Sequence, residues 1–197
     1  MLKRAFDFIC STLGLLILFP LWITIVLILC IDDRGPILFI QKRVGLNHRP
    51  FLLYKFRSMA PDNNLPSDNF EAGNLSRVTR TGKFLRKTKL DELPQLINVL
   101  KGDMSLVGPR PEVRKWVEIY PDKWARVLTI KPGITDNASV LFRNEEEVLS
   151  MEANPENYYK EIILPEKLNL YIKYVNNHPF AGDVAIILRT IFSIFKK

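Results

Sequence analysis

The run FICSTLGLLILFPLWITIVLILCI, Phe8 to Ile31, carries no charged residue over 24 positions. As one straight α-helix it would be about 36 Å long, enough to cross a bilayer core of about 30 Å. Two soluble readings fail on length. A secretory hydrophobic region is shorter and ends in a small-residue cleavage site, which does not follow here. A helix this long and uncharged does not bury inside a protein of 197 residues. Pro20 stands at the centre of the run. It removes a backbone donor and crowds the preceding turn, so a break is expected at Phe19-Pro20. Lys3 and Arg4 precede the run, and Arg34, Lys42 and Arg43 follow it. Positive charge marks the cytoplasmic side of a membrane. With both flanks positive, a hairpin returning to the face it entered satisfies the charges; a kinked transmembrane helix is the alternative.

The rest of the chain is basic. The whole sequence is 47% hydrophobic yet has a formal charge of +7. That balance calls for an anionic partner: a membrane face, a phosphorylated substrate or nucleic acid. Cys10 and Cys30, the two cysteines, both lie in the apolar run. They give neither a disulfide framework nor a zinc pattern. With only His48 and His178 present, far apart in sequence, a histidine metal site or a Ser-His triad is disfavoured.

After the turn residues Arg34-Gly35-Pro36, Ile37 to Phe39 and Phe51 to Tyr54 flank a turn at Gly45-Leu46-Asn47 and predict a β-hairpin. Ala60 to Asn74 reads as a loop, either a lid or plain surface. Arg77 to Lys89 contains six cations and no acid; on a helix, Lys83, Arg86 and Lys87 share a face. Then comes Leu90-Asp91-Glu92-Leu93-Pro94-Gln95, and Leu93, Leu96, Ile97 and Leu100 recur at helical spacing. Pro94 is tolerated only in a first turn, so a helix is expected to start near Asp91. Asp91 then reads as an N-cap and Glu92 as a first-turn acid. The same position suits chemistry: adjacent acids at a helix start could supply a nucleophile, a base or a Mg²⁺ ligand. Gly102 is a C-cap candidate. Pro109 and Pro111 stiffen the backbone around Arg110, whose guanidinium makes a good phosphate fork. Val113 to Ile130 reads as one helix, with Trp116, Tyr120, Trp124 and Leu128 as a packing stripe. Phe180 to Lys197, with Val184, Ile187, Leu188, Ile191 and Phe195 on one stripe, suits a helix lying on a membrane face or packed in a core.

The stretch from Leu90 to Glu112, LDELPQLINVLKGDMSLVGPRPE, resembles the bacterial sugar transferase family, the monotopic phosphoglycosyl transferases. The likeness extends to Lys3-Arg4-Ala5-Phe6-Asp7, Gly35-Pro36-Ile37-Leu38-Phe39, Gln41-Lys42-Arg43-Val44-Gly45, Tyr54-Lys55-Phe56-Arg57-Ser58-Met59 and Lys131-Pro132-Gly133-Ile134-Thr135. It therefore covers nearly the whole chain and implies the minimal catalytic form, without extra membrane helices.

The resemblance implies that the fold is mostly α with a small β-hairpin. Residues 1–34 would form a re-entrant membrane helix-break-helix broken at Phe19 and Pro20. Residues 35–197 would form a cytoplasmic α/β catalytic domain with interfacial amphipathic helices. The implied place is the bacterial inner membrane, with both termini cytoplasmic. The implied reaction moves a sugar 1-phosphate from a UDP-sugar to a polyprenol phosphate such as undecaprenyl phosphate. Asp91 would be the nucleophile and a Mg²⁺ ligand, with Glu92 assisting. Arg110, Lys55, Arg57, Arg86 and Arg143 would hold phosphate. The phospholipid membrane is a third partner, nucleic acid is not expected, and a homo-oligomer stays open. The chain departs from the family pattern at Phe19-Pro20, where Ser-Pro is usual, and at Asp136-Asn137-Ala138-Ser139, where Gly-Trp-Ala-Gln is common. It also lacks an acid before Lys173-Tyr174-Val175, and Arg143 to Tyr174 is longer than in the smallest relatives. A noncatalytic membrane-anchored adaptor binding lipid or nucleic acid through its basic patch is the competing reading. It leaves Asp91-Glu92 and Pro109-Arg110-Pro111 without a role.

Overall fold

A computed structural model describes residues 2–32, 35–60, 77–177 and 180–195. Arg34 and most of the loop expected at Ala60 to Asn74 lie outside the described residues.

The apolar run folds as two helices, α1 (Leu2–Ile17) and α2 (Phe19–Asp32), bent by 59°. Neither is long and apolar enough to cross a membrane alone. The bend lies at Leu18, ahead of the expected Phe19-Pro20. Pro20 has no N–H to offer the carbonyl one turn back, and its ring crowds that turn. The ladder therefore fails before the proline, and Phe19 and Pro20 open α2, where a missing N–H costs nothing. Ile17 and Phe19 beside the bend are 73% and 61% exposed.

Both outer ends of this pair pack on one body. Near its start, α1 turns a polar face inward. Asp7 is buried and accepts from Ser105 Oγ at 2.8 Å and Leu106 N at 3.1 Å. Lys3 donates to the Val107 carbonyl at 3.1 Å and pairs with Asp183. Arg4 donates to the carbonyls of Val99 at 2.5 Å and Leu100 at 2.8 Å. Those carbonyls end a helix and need partners. On α2, Ile25 and Leu29 are buried with Phe56 and Leu85.

The expected hairpin forms from β1 (Leu38–Val44) and β2 (Pro50–Phe56), antiparallel, with Gln41 opposite Leu53. Next comes α3 (Arg80–Thr88), capped by the Thr79 hydroxyl. The expectation of a helix beginning at Asp91 with that side chain as cap is corrected. Leu90–Glu92 forms a 3₁₀ turn, and α4 (Gln95–Lys101) begins only after Pro94. Lys89, at φ 58°, breaks α3 and swings the chain into that turn. Gly102 ends α4 as expected, at φ 89°.

β3 (Ser105–Val107) pairs in parallel with β4 (Gly133–Thr135), Ser105 opposite Gly133. The crossover holds α5 (Arg114–Val117) and α6 (Pro121–Val127), so the single helix expected over Val113 to Ile130 is two. Pro121 divides them, since the residue before a proline is pushed out of helical geometry. The stripe it carries is core, with Trp116 and Trp124 each 1% exposed. The chain continues through α7 (Asn137–Leu141), α8 (Glu145–Met151), α9 (Pro155–Tyr158), a π-turn (Tyr159–Ile163), α10 (Leu164–Asn176) and α11 (Phe180–Phe195). In α11, Ile186 is buried and Ile187 packs beside it, while Val184, Leu188, Ile191 and Phe192 are exposed. The architecture is mostly helical with a small antiparallel hairpin and a short parallel pair.

Candidate active site

Three backbone devices converge on one place. β2 carries Lys55, the 3₁₀ turn carries Asp91 and Glu92, and the Gly108-Pro109-Arg110-Pro111 segment carries Arg110. That last segment is tied to β4: Gly108 N donates to the Thr135 carbonyl at 3.0 Å, and Gly133 N to the Pro109 carbonyl at 2.9 Å. Gly108 and Gly133 must both lack side chains, because a Cβ on Gly133 would sit 2.1 Å from Gly108 N.

Glu92 is the hub. Lys55 Nζ donates to its Oε1 at 3.0 Å. The Arg110 guanidinium forks onto the carboxylate, Nη1 to Oε2 at 3.2 Å and Nη2 to Oε1. Burial pushes the Glu92 carboxyl up, but Arg110 and Lys55 outweigh it and hold the group well below the usual carboxylate range. Glu92 in turn holds the Arg110 guanidinium charged, well above its ordinary value.

Asp91 differs from its neighbour. It is 5% exposed, and its Oδ1 has no hydrogen-bond partner among the described residues. Burial raises its carboxyl above the usual range; Lys55 opposes that shift, and the Glu92 charge adds to it. A buried carboxylate oxygen without a protein partner costs stability, and here it lies beside the Lys55–Glu92–Arg110 cluster, where a charged carboxyl has chemistry open to it. A carboxylate in this state is a poorly solvated, available nucleophile, with two fixed cations close by.

The other expected phosphate ligands are placed as follows. Arg86, on α3, donates to Ser58 Oγ at 2.9 Å and to Glu146 at 3.1 Å. Arg57 is buried against Gly35, where a Cβ would meet its guanidinium at 1.8 Å. Arg143 lies half-buried in the turn between α7 and α8. Several buried charges were not anticipated. Glu112 accepts from Arg43 at 3.1 Å and from Tyr159 Oη at 2.7 Å, and Lys167 stands 3.7 Å from it. Asp136 caps α7, accepting from Ala138 N, Ser139 N and Ser139 Oγ. Glu112 closes the motif around Arg110 and so has a signal in the sequence; Lys167 and Tyr159 carry no local signal.

Among the described residues no group of three or more His, Cys, Asp or Glu side chains is arranged for a metal ion. Mg²⁺ does not need one. It keeps waters and takes one or two carboxylates plus substrate phosphates. Asp91, with a free oxygen, fits that role; Glu92, engaged by two cations, does not.

Residues 1–197 match the family model described as bacterial sugar transferase. The chain is 37% identical over 199 residues to the uncharacterized sugar transferase EpsL of Bacillus subtilis (strain 168), covering 96% of this chain and 85% of that protein. It is 36% identical over 211 residues to an undecaprenyl-phosphate galactose phosphotransferase of Salmonella typhimurium, covering 100% of this chain and 41% of that one. It is 35% identical over 199 residues to a UDP-glucose:undecaprenyl-phosphate glucose-1-phosphate transferase of Escherichia coli (strain K12), covering 99% and 40%. The chain thus spans most of the first relative and about two-fifths of the other two.

Proposed function

Because the chain belongs to the bacterial sugar transferase family, we propose that it transfers a sugar 1-phosphate from a UDP-sugar to a polyprenol phosphate, with undecaprenyl phosphate the expected acceptor. The observation that carries the chemistry is the buried, unpaired Oδ1 of Asp91 beside Lys55 and Arg110.

In the first half-reaction an Asp91 oxygen attacks the phosphorus bearing the sugar. The bond from that phosphorus to the bridging oxygen breaks, and UMP leaves with the oxygen and its electron pair. In the second, a phosphate oxygen of the polyprenol phosphate attacks the same phosphorus. Asp91 departs as a carboxylate, and the lipid carries the sugar on a diphosphate. Lys55 and Arg110 face the negative charge of the diphosphate, which would otherwise repel a carboxylate nucleophile. Glu92 holds both cations in place and stays ionised, so its role is orientation. Mg²⁺, when bound by Asp91 and the diphosphate, would neutralise charge on the leaving phosphate.

The α1–α2 pair supports a re-entrant seat in the membrane. Both outer ends are fastened to one folded body, so a span would place the ends of that body on opposite faces. Dipping symmetrically at a 59° bend, a 16-residue α1 would carry the tip about 12 Å deep, under half of a roughly 30 Å core. The exposed apolar side of α11 suits the same surface. On this reading both termini stay on the cytoplasmic face of the inner membrane. The site then lies at the height of the acceptor's phosphate, which removes a three-dimensional search.

The test is a panel of UDP-sugars given with undecaprenyl phosphate and Mg²⁺ to the purified protein in nanodiscs. One or more donors should yield UMP together with a lipid-linked sugar diphosphate, and Asp91→Asn should yield neither. No UMP from any donor, or full turnover by Asp91→Asn, rejects the reading.

A further inference from the structure

We propose that Tyr159 and Lys167 are positioning residues for Arg110, acting through the carboxylate of Glu112. The inference rests on the transferase reading for what Arg110 holds.

Arg110 sits in a segment without regular secondary structure, where strand pairing does not fix the side chain. The near end of that segment is tied to β4, the Arg110 guanidinium meets Glu92, and the far end is fastened as well. Val44 N donates to the Glu112 carbonyl at 2.9 Å. Arg43 Nη1 reaches both the Pro111 carbonyl at 3.2 Å and Glu112 Oε2 at 3.1 Å. The other carboxylate oxygen, Oε1, takes the Tyr159 hydroxyl at 2.7 Å, with Lys167 Nζ at 3.7 Å. Lys167 is itself held by Glu145 at 3.0 Å and donates to Tyr159 Oη at 3.3 Å. Three separate elements, β1, the π-turn and α10, therefore grip one carboxylate two residues beyond Arg110.

This arrangement is costly as a stability device. Glu112, Tyr159 and Lys167 are 5%, 1% and 3% exposed. Burying charges costs several kcal/mol per ion before pairing, and an apolar core of the same volume is often as stable or more so. What the network does supply is a fixed geometry. Pro109 and Pro111 stiffen the backbone on either side of Arg110, so locking Glu112 also limits the directions the guanidinium can take. Tyr159 opens a π-turn, a helix irregularity frequent at functional sites. Its ring is braced edge-on by Trp116 at 4.8 Å.

The test is a double-mutant cycle on the full chain in detergent: wild type, Tyr159→Phe, Arg110→Ala and the double variant, each titrated calorimetrically with UDP and Mg²⁺. Losing the hydroxyl, which donates to Glu112 and accepts from Lys167, should weaken UDP about fivefold when Arg110 is present. With Arg110 absent, the same change should cost less than about twofold. Equal losses in both backgrounds, or no loss beside Arg110, overturn the proposal. If the wild type does not bind UDP, the transferase reading is what fails. The cycle is then read in unfolding midpoints: shifts that do not add support coupling between Tyr159 and Arg110, and additive shifts reject it. Should Tyr159→Phe not fold, Glu112→Gln, which keeps the shape and an acceptor, takes its place with the same expectations.

Discussion

Glu92→Gln isolates the charge at the hub of the site. The variant keeps the shape of the side chain and one acceptor but removes the anion between Lys55 and Arg110. Each cation hydrogen-bonds the same carboxylate, so they lie within about 6 Å of one another. At an effective dielectric of about 20, two unit charges at that distance repel by about 3 kcal/mol. Lys55 keeps 19% of its side chain open and Arg110 28%, so solvent screens part of this. A net loss of about 2–3 kcal/mol follows, near the lower end for breaking one partner of a buried pair. For a chain of this size that is a drop of about 5–10 °C in melting midpoint. Adding Lys55→Met should recover part of the loss, since one of the two opposed cations is then gone. Rate follows the same logic. Glu92 is held well below the usual carboxylate range, so it does not titrate near neutrality. The Gln variant should slow adduct formation on the pH plateau, while its acid limb moves to lower pH, because the Glu92 charge that helps raise Asp91 is gone. An unchanged melting midpoint would refute the electrostatic argument. Loss of one limb of the pH profile would show that Glu92 transfers a proton instead.

Three further outcomes follow from the site and the membrane pair. Asp91→Asn should raise the melting midpoint by a few degrees at neutral pH, because the ionised form is the one burial disfavours; the gain should start to shrink as pH falls through the raised Asp91 value and vanish only below the ordinary range of an exposed carboxyl, where folded and unfolded wild type are both protonated, and differential scanning at several pH values reads it. Lys55→Met removes the main cation favouring the Asp91 carboxylate, so the acid limb of the single-turnover rate should move to higher pH; a limb that stays put contradicts the assignment. Phe19→Asp puts a charge at the exposed tip, a change costing up to about 3 kcal/mol at membrane depth, and should shift protein from vesicles to supernatant in flotation, while the same change at exposed Met151, on α8, should shift less.

The chain announces its local devices well. The uncharged run, the proline within it, the hairpin around Gly45 and the glycine ending α4 all follow from short-range rules. So did the suspicion of Asp91, though as a helix cap; Lys89 in the left-handed region and Pro94 lacking an N–H defer the helix by one turn and leave Asp91 in a 3₁₀ turn. The division of Val113 to Ile130 is legible at Pro121, although the aromatic stripe runs across it without a break. The partnerships were not legible. Lys55 and Arg110 lie 37 and 18 residues from Glu92, and nothing near Lys167 or Tyr159 in sequence points to Glu112. Such pairs exist only once β2, the Pro-Arg-Pro segment and α10 are packed together, and residue type alone does not choose among so many cations.

The central claim is that Asp91 becomes covalently loaded. The protein in nanodiscs, given an active UDP-sugar and Mg²⁺ without any polyprenol phosphate, should release UMP up to one equivalent. Intact-mass and peptide mass spectrometry should then find a sugar-phosphate adduct on Asp91, discharged when undecaprenyl phosphate is added. UMP release only upon addition of acceptor, or the same adduct on Asp91→Asn protein, would contradict it.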